Sequence, residues 1–143
     1  MGARGGKQKM DRLLDRYMAR FMDHAELAAQ EGNCSRLAVG AVLRLYQSEV
    51  TYAAANQAET SCEHVEDAPC KRAVHAEARV VAAAARAGNS TEGAQVFVTH
   101  APCEVCAMLL VSAGVSDVYW RRPYRDTKGL ELLARNAVSV VQL

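Results

Sequence analysis

Two short motifs in the sequence carry side chains suited to metal chemistry. Residues 75–77 read H-x-E, and residues 103–106 read C-x-x-C. Neutral imidazole and cysteine thiolate are ligands that zinc favours, and a zinc ion with three protein ligands keeps a fourth position open for water. The predicted zinc ligands are His75, Cys103 and Cys106. Glu77 lies too close to the histidine to be needed as a further ligand, so we predict that it moves protons as a general acid and base.

Neither motif is specific when taken alone. A single C-x-x-C also occurs in redox-active proteins and zinc ribbons, and an isolated histidine is more often a core residue than a ligand. Here the two motifs lie 28 positions apart (103 − 75), and a run rich in Ala, Leu and Val that favours a helix follows each of them. Amide groups at helix N-termini stabilise thiolates. The combination therefore favours a catalytic zinc site over either simpler interpretation.

A second set of candidate ligands consists of Cys34, Cys62, His64 and Cys70. Four sulfur and nitrogen ligands would close a tetrahedral structural zinc site and tie the segment before the first strand to a polar loop at 56–74. The alternative is that these residues are free thiols and a surface histidine. Of the other histidines, we expect His24 at the solvent edge of the first helix, and His100 beside the metal-binding cysteines and lining the pocket.

Composition and charge narrow the class of protein. A chain of 143 residues can bury a core without disulfides, and we predict a disordered Gly- and Lys/Arg-rich tail at 1–9 followed by a single domain at 10–143. A net charge of +1 does not favour a polynucleotide substrate. We see no apolar leader or membrane span, and the cysteines fall in metal-binding patterns. These features predict a cytoplasmic protein without a membrane partner.

Hydrophobic periodicity predicts the elements that position these residues. Apolar residues recur at three- and four-residue steps from Met10 until Gly32, which predicts a helix, and apolar runs bounded by turn residues predict strands. The predicted strands are 38–45, 49–55, 94–99, 115–120 and 138–141, with a turn near Gln47 and Ser48, and the later helices are 76–86, 103–113 and 127–136. This order predicts an α/β fold, with three layers (α/β/α) and a five-stranded mixed sheet. Ligands bind beyond the strand ends of such sheets, where both motifs fall.

Beyond the two motifs, the sequence from Asn33 to Leu143 resembles the cytidine deaminase superfamily, and within it the deoxycytidylate (dCMP) deaminases. H-x-E followed by P-C-x-x-C is the signature of zinc deaminases. The closer resemblance lies in CSRLAVGAV at 34–42, CKRAVHAE at 70–77, VTHAPCEVCA at 98–107, PYRD at 123–126 and GLELL at 129–133. Deaminases of free nucleosides instead carry a P-C-G-x-C-R-Q type of second motif, which is absent here.

The resemblance implies a cytidine deaminase-like fold and the hydrolytic deamination of dCMP to dUMP and ammonia. Glu77 would move a proton from the attacking water to N3 of the pyrimidine and then help ammonia leave. The resemblance also assigns substrate contacts to Asn56 at the sugar, to the Ala101 carbonyl at the 4-amino group and to Tyr124 against the ring. From the residues alone, Asn56 is a turn residue and Tyr124 a core aromatic. The family further suggests a homo-oligomer, commonly a hexamer, and some members carry a second zinc.

Two positions depart from the family pattern. The usual G-Y-N-G after the second strand is AANQ at 54–57, which suggests an enzyme without regulation by dCTP or dTTP. The usual asparagine two residues after the catalytic glutamate is Arg79. An arginine there can bind a phosphate bidentately or mark a different pyrimidine nucleotide, or it is a solvent-facing residue paired with an acidic side chain. Arg36 and Arg125 are further candidates for phosphate binding.

Three alternative functions stay open at this point. One is deamination of another cytosine nucleotide or nucleoside, including a 5-modified one. A second is a tRNA adenosine deaminase, which shares both metal motifs but is disfavoured by the low net charge and by the PYRD segment. A third is a zinc-stabilised interaction module without catalysis. The presence of Glu77 disfavours this last interpretation, because no structural zinc site needs it.

Overall fold

The computed structural model describes residues 3–46, 48–68 and 70–143, and its account of side chains starts at residue 5. The helices are α1 (Ala3–Ala29), α2 (Ala76–Arg86), α3 (Glu104–Ser112) and α4 (Lys128–Arg135). The strands are β1 (Gly40–Arg44), β2 (Thr51–Ala55), β3 (Gln57–Ala58), β4 (Ala73–Val74), β5 (Gln95–His100), β6 (Asp117–Arg122) and β7 (Ser139–Gln142).

The main sheet has five strands in the order β2-β1-β5-β6-β7. β1 pairs antiparallel with β2 and with β5, whereas β5 and β6, and β6 and β7, pair parallel. Parallel neighbours need a crossover connection, and α3 and α4 supply the two crossovers. This topology brings the C-terminal ends of β2, β5 and β6 and the start of β1 to the same end of the sheet.

Helices cover both faces of the main sheet. Side chains along a strand alternate between the two faces, so each strand contributes to two separate cores. Phe97 of β5 packs against Met22 of α1 on one face. Val96 and Val98 of the same strand join the larger core with apolar residues of α2, α3 and α4 on the other face. The predicted three-layer α/β/α fold with a five-stranded mixed sheet is confirmed.

The first helix begins earlier than the sequence predicts. Residues 3–9 were expected in a disordered tail, but they continue α1; residues 1 and 2 lie outside the described part of the chain. Gly5 and Gly6 have low helix propensity, yet once a helix is nucleated each added residue gains a hydrogen bond at small cost. Residues 5–16 are exposed, so this extension buries little surface. No helix in the described ranges is both long and apolar enough to cross a membrane.

The polar loop predicted at 56–74 contains a short two-stranded ladder of β3 with β4. The Asn33 side chain reinforces the ladder, since its Nδ2 donates to the Ala58 carbonyl at 2.9 Å and its Oδ1 accepts from the Ala58 N–H at 2.8 Å. The ladder leads the chain directly into α2. The remaining predicted bounds agree with the structure to within two residues, and Gln47 in the predicted turn lies outside the described residues.

Candidate active site

The predicted zinc ligands lie at the first residues of two neighbouring helices. His75 is the N-cap of α2, and Cys103 is the N-cap of α3, with Cys106 one turn further along. The Cys103 sulfur accepts a hydrogen bond from the Cys106 backbone N–H at 3.5 Å, as the oxygen of a capping serine or aspartate does. The His75 side chain makes no such capping bond. Its ring is therefore free to face the two sulfur atoms.

The spacing of these three side chains fits a zinc ion. His75 Nδ1 lies 3.6 Å from Cys103 Sγ and 3.3 Å from Cys106 Sγ. In a tetrahedral site with Zn–S bonds of about 2.3 Å and Zn–N bonds of about 2.0 Å, nitrogen and sulfur ligands lie about 3.5 Å apart. All three ligand atoms lie within 4.8 Å of one another. A set of three protein ligands is typical of catalytic rather than structural zinc.

Hydrogen bonding within this cluster separates the two thiols. The Cys106 thiol donates to the Cys103 sulfur, which lowers the pKa of Cys103 to about 4 against the opposing effect of burial. The same pairing, together with burial, raises the pKa of Cys106. The hydrogen bond with Cys103 also raises the pKa of His75. A divalent cation would replace the protons held in this cluster, so metal binding should release protons.

Glu77 is a buried carboxyl group beside these ligands. It is only 3% exposed, and burial raises the pKa of its carboxyl group. A hydrogen bond with its own backbone N–H and the charge of His75 oppose this rise. A carboxyl group whose pKa is moved toward neutral pH can both accept and return a proton during a reaction. Glu77 therefore has the environment expected of a general acid and base.

The second set of candidate ligands also forms a cluster, with the ligand atoms of Cys34, Cys62, His64 and Cys70 all within 4.8 Å of one another. Cys34 Sγ lies 3.5 Å from His64 Nε2, which again matches the separation in a zinc site. Burial opposes ionisation of Cys70, but hydrogen bonds from backbone N–H groups, that of Arg72 foremost, lower its pKa to about 7. Four protein ligands are typical of a closed, structural zinc site.

Two cavities meet at Tyr124 and Arg125, which line both of them. The first, of about 530 Å³, is mostly apolar and includes the candidate zinc ligands among its lining residues. The second, of about 580 Å³, is more polar and is also lined by Arg36, Leu37, Asp67, His100 and Pro123. We call these the metal cavity and the polar cavity. Either volume is within the range of small-molecule sites.

The two residues predicted to contact the sugar and the base, Asn56 and Ala101, differ in their hydrogen bonding within the protein. Asn56 is 6% exposed, and its side chain accepts from the Val39 N–H and donates to the Leu37 carbonyl, both at 2.8 Å. It therefore holds the segment before β1 in place. In contrast, no described residue donates a hydrogen bond to the Ala101 carbonyl. That oxygen has no hydrogen-bond partner among the described residues, while Ala101 itself is 3% exposed and lines neither cavity.

Arg79 lines neither cavity. It is half-buried on α2, and its Nη1 donates to the Ala55 carbonyl at 2.8 Å. It forms no salt bridge within the described ranges. The side chain is thus neither a solvent-facing residue paired with an acid nor, in this arrangement, part of a cavity wall. It ties α2 to the end of β2.

Arg36 and Arg125 both line the polar cavity and hold the same loop. Arg36 Nη1 donates to the carbonyls of Val65 and Ala68 at 3.1 and 2.5 Å, and Arg125 Nη1 donates to the Asp67 carbonyl at 2.8 Å. Neither guanidinium forms a salt bridge with any residue that the structure describes. Both therefore keep free donors beside the cavity. Sequence reasoning missed Asp67, since nothing in its local sequence marks this loop residue as part of a cavity.

A mixed sheet between helical layers, with H-x-E and P-C-x-x-C motifs at adjoining helix N-termini, defines the class of zinc-dependent deaminases. The family model described as "Cytidine and deoxycytidylate deaminase zinc-binding region" matches residues 16–121. The chain belongs to this family.

Individual relatives and solved structures agree with the family assignment. "ComE operon protein 2" of Bacillus subtilis (strain 168) is 30% identical over 132 residues, which are 86% of this chain and 69% of that protein. "Deoxycytidylate deaminase" of Enterobacteria phage T4 is 37% identical over 68 residues, 47% of this chain and 35% of that protein. The crystal structure of dCMP deaminase from the cyanophage S-TIM5, in complex with dCMP and dUMP, matches with a TM-score of 0.81 and 30% identity, over 90% of this chain and 97% of that chain.

Proposed function

We propose that this protein hydrolytically deaminates dCMP to dUMP and ammonia. The observation that carries the proposal is the buried Glu77 beside a three-ligand His/Cys cluster, in a chain similar over nine-tenths of its length to a dCMP deaminase solved with dCMP and dUMP. A structural zinc site alone has no use for a buried carboxyl group beside its ligands. The pair of features therefore favours catalysis over a zinc-stabilised interaction module.

Each residue of the cluster has a role in this proposal. His75, Cys103 and Cys106 hold zinc, which supplies the Lewis acidity that makes a water molecule nucleophilic near neutral pH. Glu77 accepts a proton from the attacking water and delivers it to N3 of the cytosine ring. The hydroxyl oxygen bonds to C4. Glu77 then takes the remaining hydroxyl proton and passes it to the 4-amino group, so that the C4–N bond breaks, ammonia leaves and the C4 carbonyl of dUMP forms. The free Ala101 carbonyl accepts a hydrogen bond from that amino group.

The polar cavity supports a nucleotide rather than a nucleoside as substrate. Its lining includes two guanidinium groups, of Arg36 and Arg125, against one carboxylate among the described residues, that of Asp67. Guanidinium groups bind phosphate through charge-assisted hydrogen bonds. With the pyrimidine at the metal cavity, the 5′-phosphate would lie across Tyr124 in the polar cavity. Asn56 acts in this arrangement by holding the cavity wall at Leu37.

The activity is tested by measuring ammonia release from dCMP, CMP, deoxycytidine, dCTP and 5-methyl-dCMP. We expect the highest kcat/KM for dCMP, and the same assay with added dCTP or dTTP tests the predicted lack of regulation. A higher kcat/KM for deoxycytidine would contradict a nucleotide substrate. Failure to release ammonia from all five compounds by the zinc-loaded protein would contradict the proposed activity.

We further propose that the cluster of Cys34, Cys62, His64 and Cys70 holds a second, structural zinc. The four-ligand set, the 3.5 Å sulfur–nitrogen distance and the lowered pKa of Cys70 support it. Elemental analysis should find two zinc ions per chain, and about one in Cys62→Ser, which loses a ligand of the second site only. One zinc per wild-type chain would contradict the proposal.

Self-association is a further part of the proposal. α3 exposes large apolar side chains, with Val105 78% and Met108 53% exposed, and Val105 also lines the metal cavity. When exposed apolar side chains form a contiguous patch, the patch more often belongs to a protein interface than to free surface. Light scattering on the purified protein should give the mass of an oligomer, and a monomer at micromolar concentration would contradict it.

A further inference from the structure

His100 ends β5 and belongs to neither metal cluster. Its ring lines the polar cavity together with Arg36 and Arg125. His100 Nδ1 lies 2.9 Å from the hydroxyl oxygen of Thr99, the residue before it. Thr99 itself is wholly buried at 0% exposure. The imidazole is thus fixed at Nδ1, while its other nitrogen has no partner among the described residues.

The hydrogen bonds of the Thr99 hydroxyl determine which ring nitrogen of His100 carries the proton. The Gly40 N–H donates to the Thr99 hydroxyl oxygen at 3.1 Å. The hydroxyl proton still needs an acceptor, because a buried polar group without a partner is costly. Within the described ranges, the only side chain that can accept it is His100, through Nδ1. A neutral ring that accepts at Nδ1 carries its proton on Nε2.

The surroundings of His100 keep the ring neutral. Burial lowers its pKa, the Arg122 cation lowers it further, and Glu26 opposes them. Glu26 also holds Arg122, with Oε1 2.8 Å from the Arg122 guanidinium. The ring therefore presents a fixed N–H donor to the polar cavity at neutral pH. Two guanidinium groups and this imidazole then face the same volume, opposed by the carboxylate of Asp67.

We propose that His100 recognises the 5′-phosphate of the substrate by donating a hydrogen bond from Nε2 into the polar cavity. This inference rests on the proposed nucleotide deamination and adds a specificity-determining residue to it. The pyrimidine must lie at the metal cavity, where the reaction occurs, so the polar cavity receives the other end of the molecule. Because the donor is held in place by Thr99, it is ordered before the substrate binds.

The kinetics of two amide variants test which ring nitrogen of His100 contributes to phosphate recognition. His100→Asn keeps an acceptor for the Thr99 hydroxyl but has no group at the Nε2 position, whereas the amide nitrogen of His100→Gln reaches that position. We expect His100→Asn to raise KM for dCMP about ten- to a hundredfold, the range for hydrogen bonds to charged groups, with kcat little changed. His100→Gln should recover part of that loss. For deoxycytidine, which lacks the phosphate, kcat/KM should change by less than about twofold.

Controls distinguish phosphate recognition from general damage. His24→Asn makes the same substitution at an exposed residue of α1 and should leave both substrates unaffected. An equal loss for dCMP and deoxycytidine in His100→Asn would overturn the proposal, and so would unchanged kinetics for both. If the variants do not fold, a measurement on the wild-type protein still tests the proposal. Nitrogen NMR of its histidine rings should find the proton of His100 on Nε2, and added inorganic phosphate should shift that signal.

The wild-type NMR measurement also separates this inference from the proposed activity. If the protein does not deaminate dCMP, the proposed function fails, but phosphate binding at His100 is still measured by the titration. A proton on Nδ1, or no response of the His100 signal to phosphate, overturns the inference even in an active enzyme.

Discussion

At the scale of single residues, position decides what each carboxyl group can do. Glu77 is buried beside the zinc ligand candidates, and burial raises the pKa of its carboxyl group. Glu104 lines the metal cavity, but its side chain is exposed to solvent. The local motif and the burial therefore agree on Glu77.

Glu77→Gln is expected to remove most of the activity and little else. The amide has the shape of the carboxyl group but cannot take a proton from water, so kcat/KM for dCMP should fall by about 10²- to 10⁴-fold. Stability should hold or rise, because a buried ionisable group is replaced by a neutral one. Ammonia release measures the activity, urea unfolding measures the stability, and elemental analysis checks that the zinc content is unchanged. Glu59→Gln, at an exposed loop residue, is the matched control, and full activity in Glu77→Gln would exclude its catalytic role.

Arg79→Ala is expected to affect the fold more than the choice of substrate. The arginine donates to the Ala55 carbonyl and lines neither cavity, so its loss removes one hydrogen bond of about 1 kcal/mol between α2 and β2. The ratio of kcat/KM for dCMP to that for deoxycytidine should change less than about threefold. Urea unfolding and the two kinetic assays check this. A collapse of that ratio would instead support the phosphate contact that the sequence alone predicts for Arg79.

At the scale of elements, the sequence predicts those helices and strands whose determining residues lie close together in the chain. The helix predicted at 76–86 has those bounds, since a metal motif precedes it and Gly88-Asn89 ends it. The β3–β4 ladder could not be predicted, because its short strands pair across a long loop and depend on Asn33 from another region. The zinc motifs were predictable for the same reason as α2. The sequence named Arg36 and Arg125 as candidates for phosphate binding, but the polar cavity that unites them could not be predicted, because its walls come from four separate segments.

The first turns of α3 and α4 pack so closely that Gly129 cannot be replaced. A Cβ at this position would lie 2.0 Å from the Pro102 carbonyl oxygen and 3.0 Å from the Cys103 backbone. Backbone atoms cannot rotate away, so we expect Gly129→Ala to destabilise the protein by about 3 kcal/mol and to lower zinc affinity by displacing Cys103.

The matched control for Gly129→Ala is Gly5→Ala on α1. A Cβ at Gly5 meets no atom within 4 Å, so alanine there should keep stability or add up to about 1 kcal/mol through helix propensity. Urea unfolding and zinc content are measured for both variants. A Gly129→Ala protein with wild-type stability and full zinc content would show that α4 does not position the cysteine motif.

At the scale of the whole molecule, the mixed topology gathers the chemistry at one end of the sheet. β5 and β6 run parallel and deliver His100 and Arg122 there, and the antiparallel β1 starts at that end after Arg36. The N-termini of α2 and α3 follow strand ends at the same place. Binding beyond the strand ends is the general behaviour of such sheets. Segments far apart in sequence therefore share one site because the strand order requires it.

This gathering of charges also makes the stability of the whole molecule depend on pH through His100. Its pKa in the folded protein is lowered by burial and by Arg122, with Glu26 opposing, while Arg36, Arg125 and Asp67 line the cavity that it faces. In the unfolded chain the imidazole titrates near its ordinary pKa of about 6.5. Between that value and the lowered folded value, the unfolded state binds more protons. The free energy of unfolding should therefore fall as pH falls through this window. Above the window, neutral His100 should make its full contribution to stability.

The substitution His100→Asn isolates this contribution from those of the other titrating groups. Asparagine does not titrate, while the zinc ligands and the remaining histidines are common to both proteins and cancel in the comparison. We expect the difference in unfolding free energy, wild type minus His100→Asn, to be constant above about pH 7 and to shrink as the pH falls below about 6.5. Urea unfolding at half-unit steps from pH 7.5 to about pH 5 measures the difference. A difference independent of pH would show that His100 titrates alike in the folded and unfolded chains, and that the buried Thr99 contact does not hold the ring neutral.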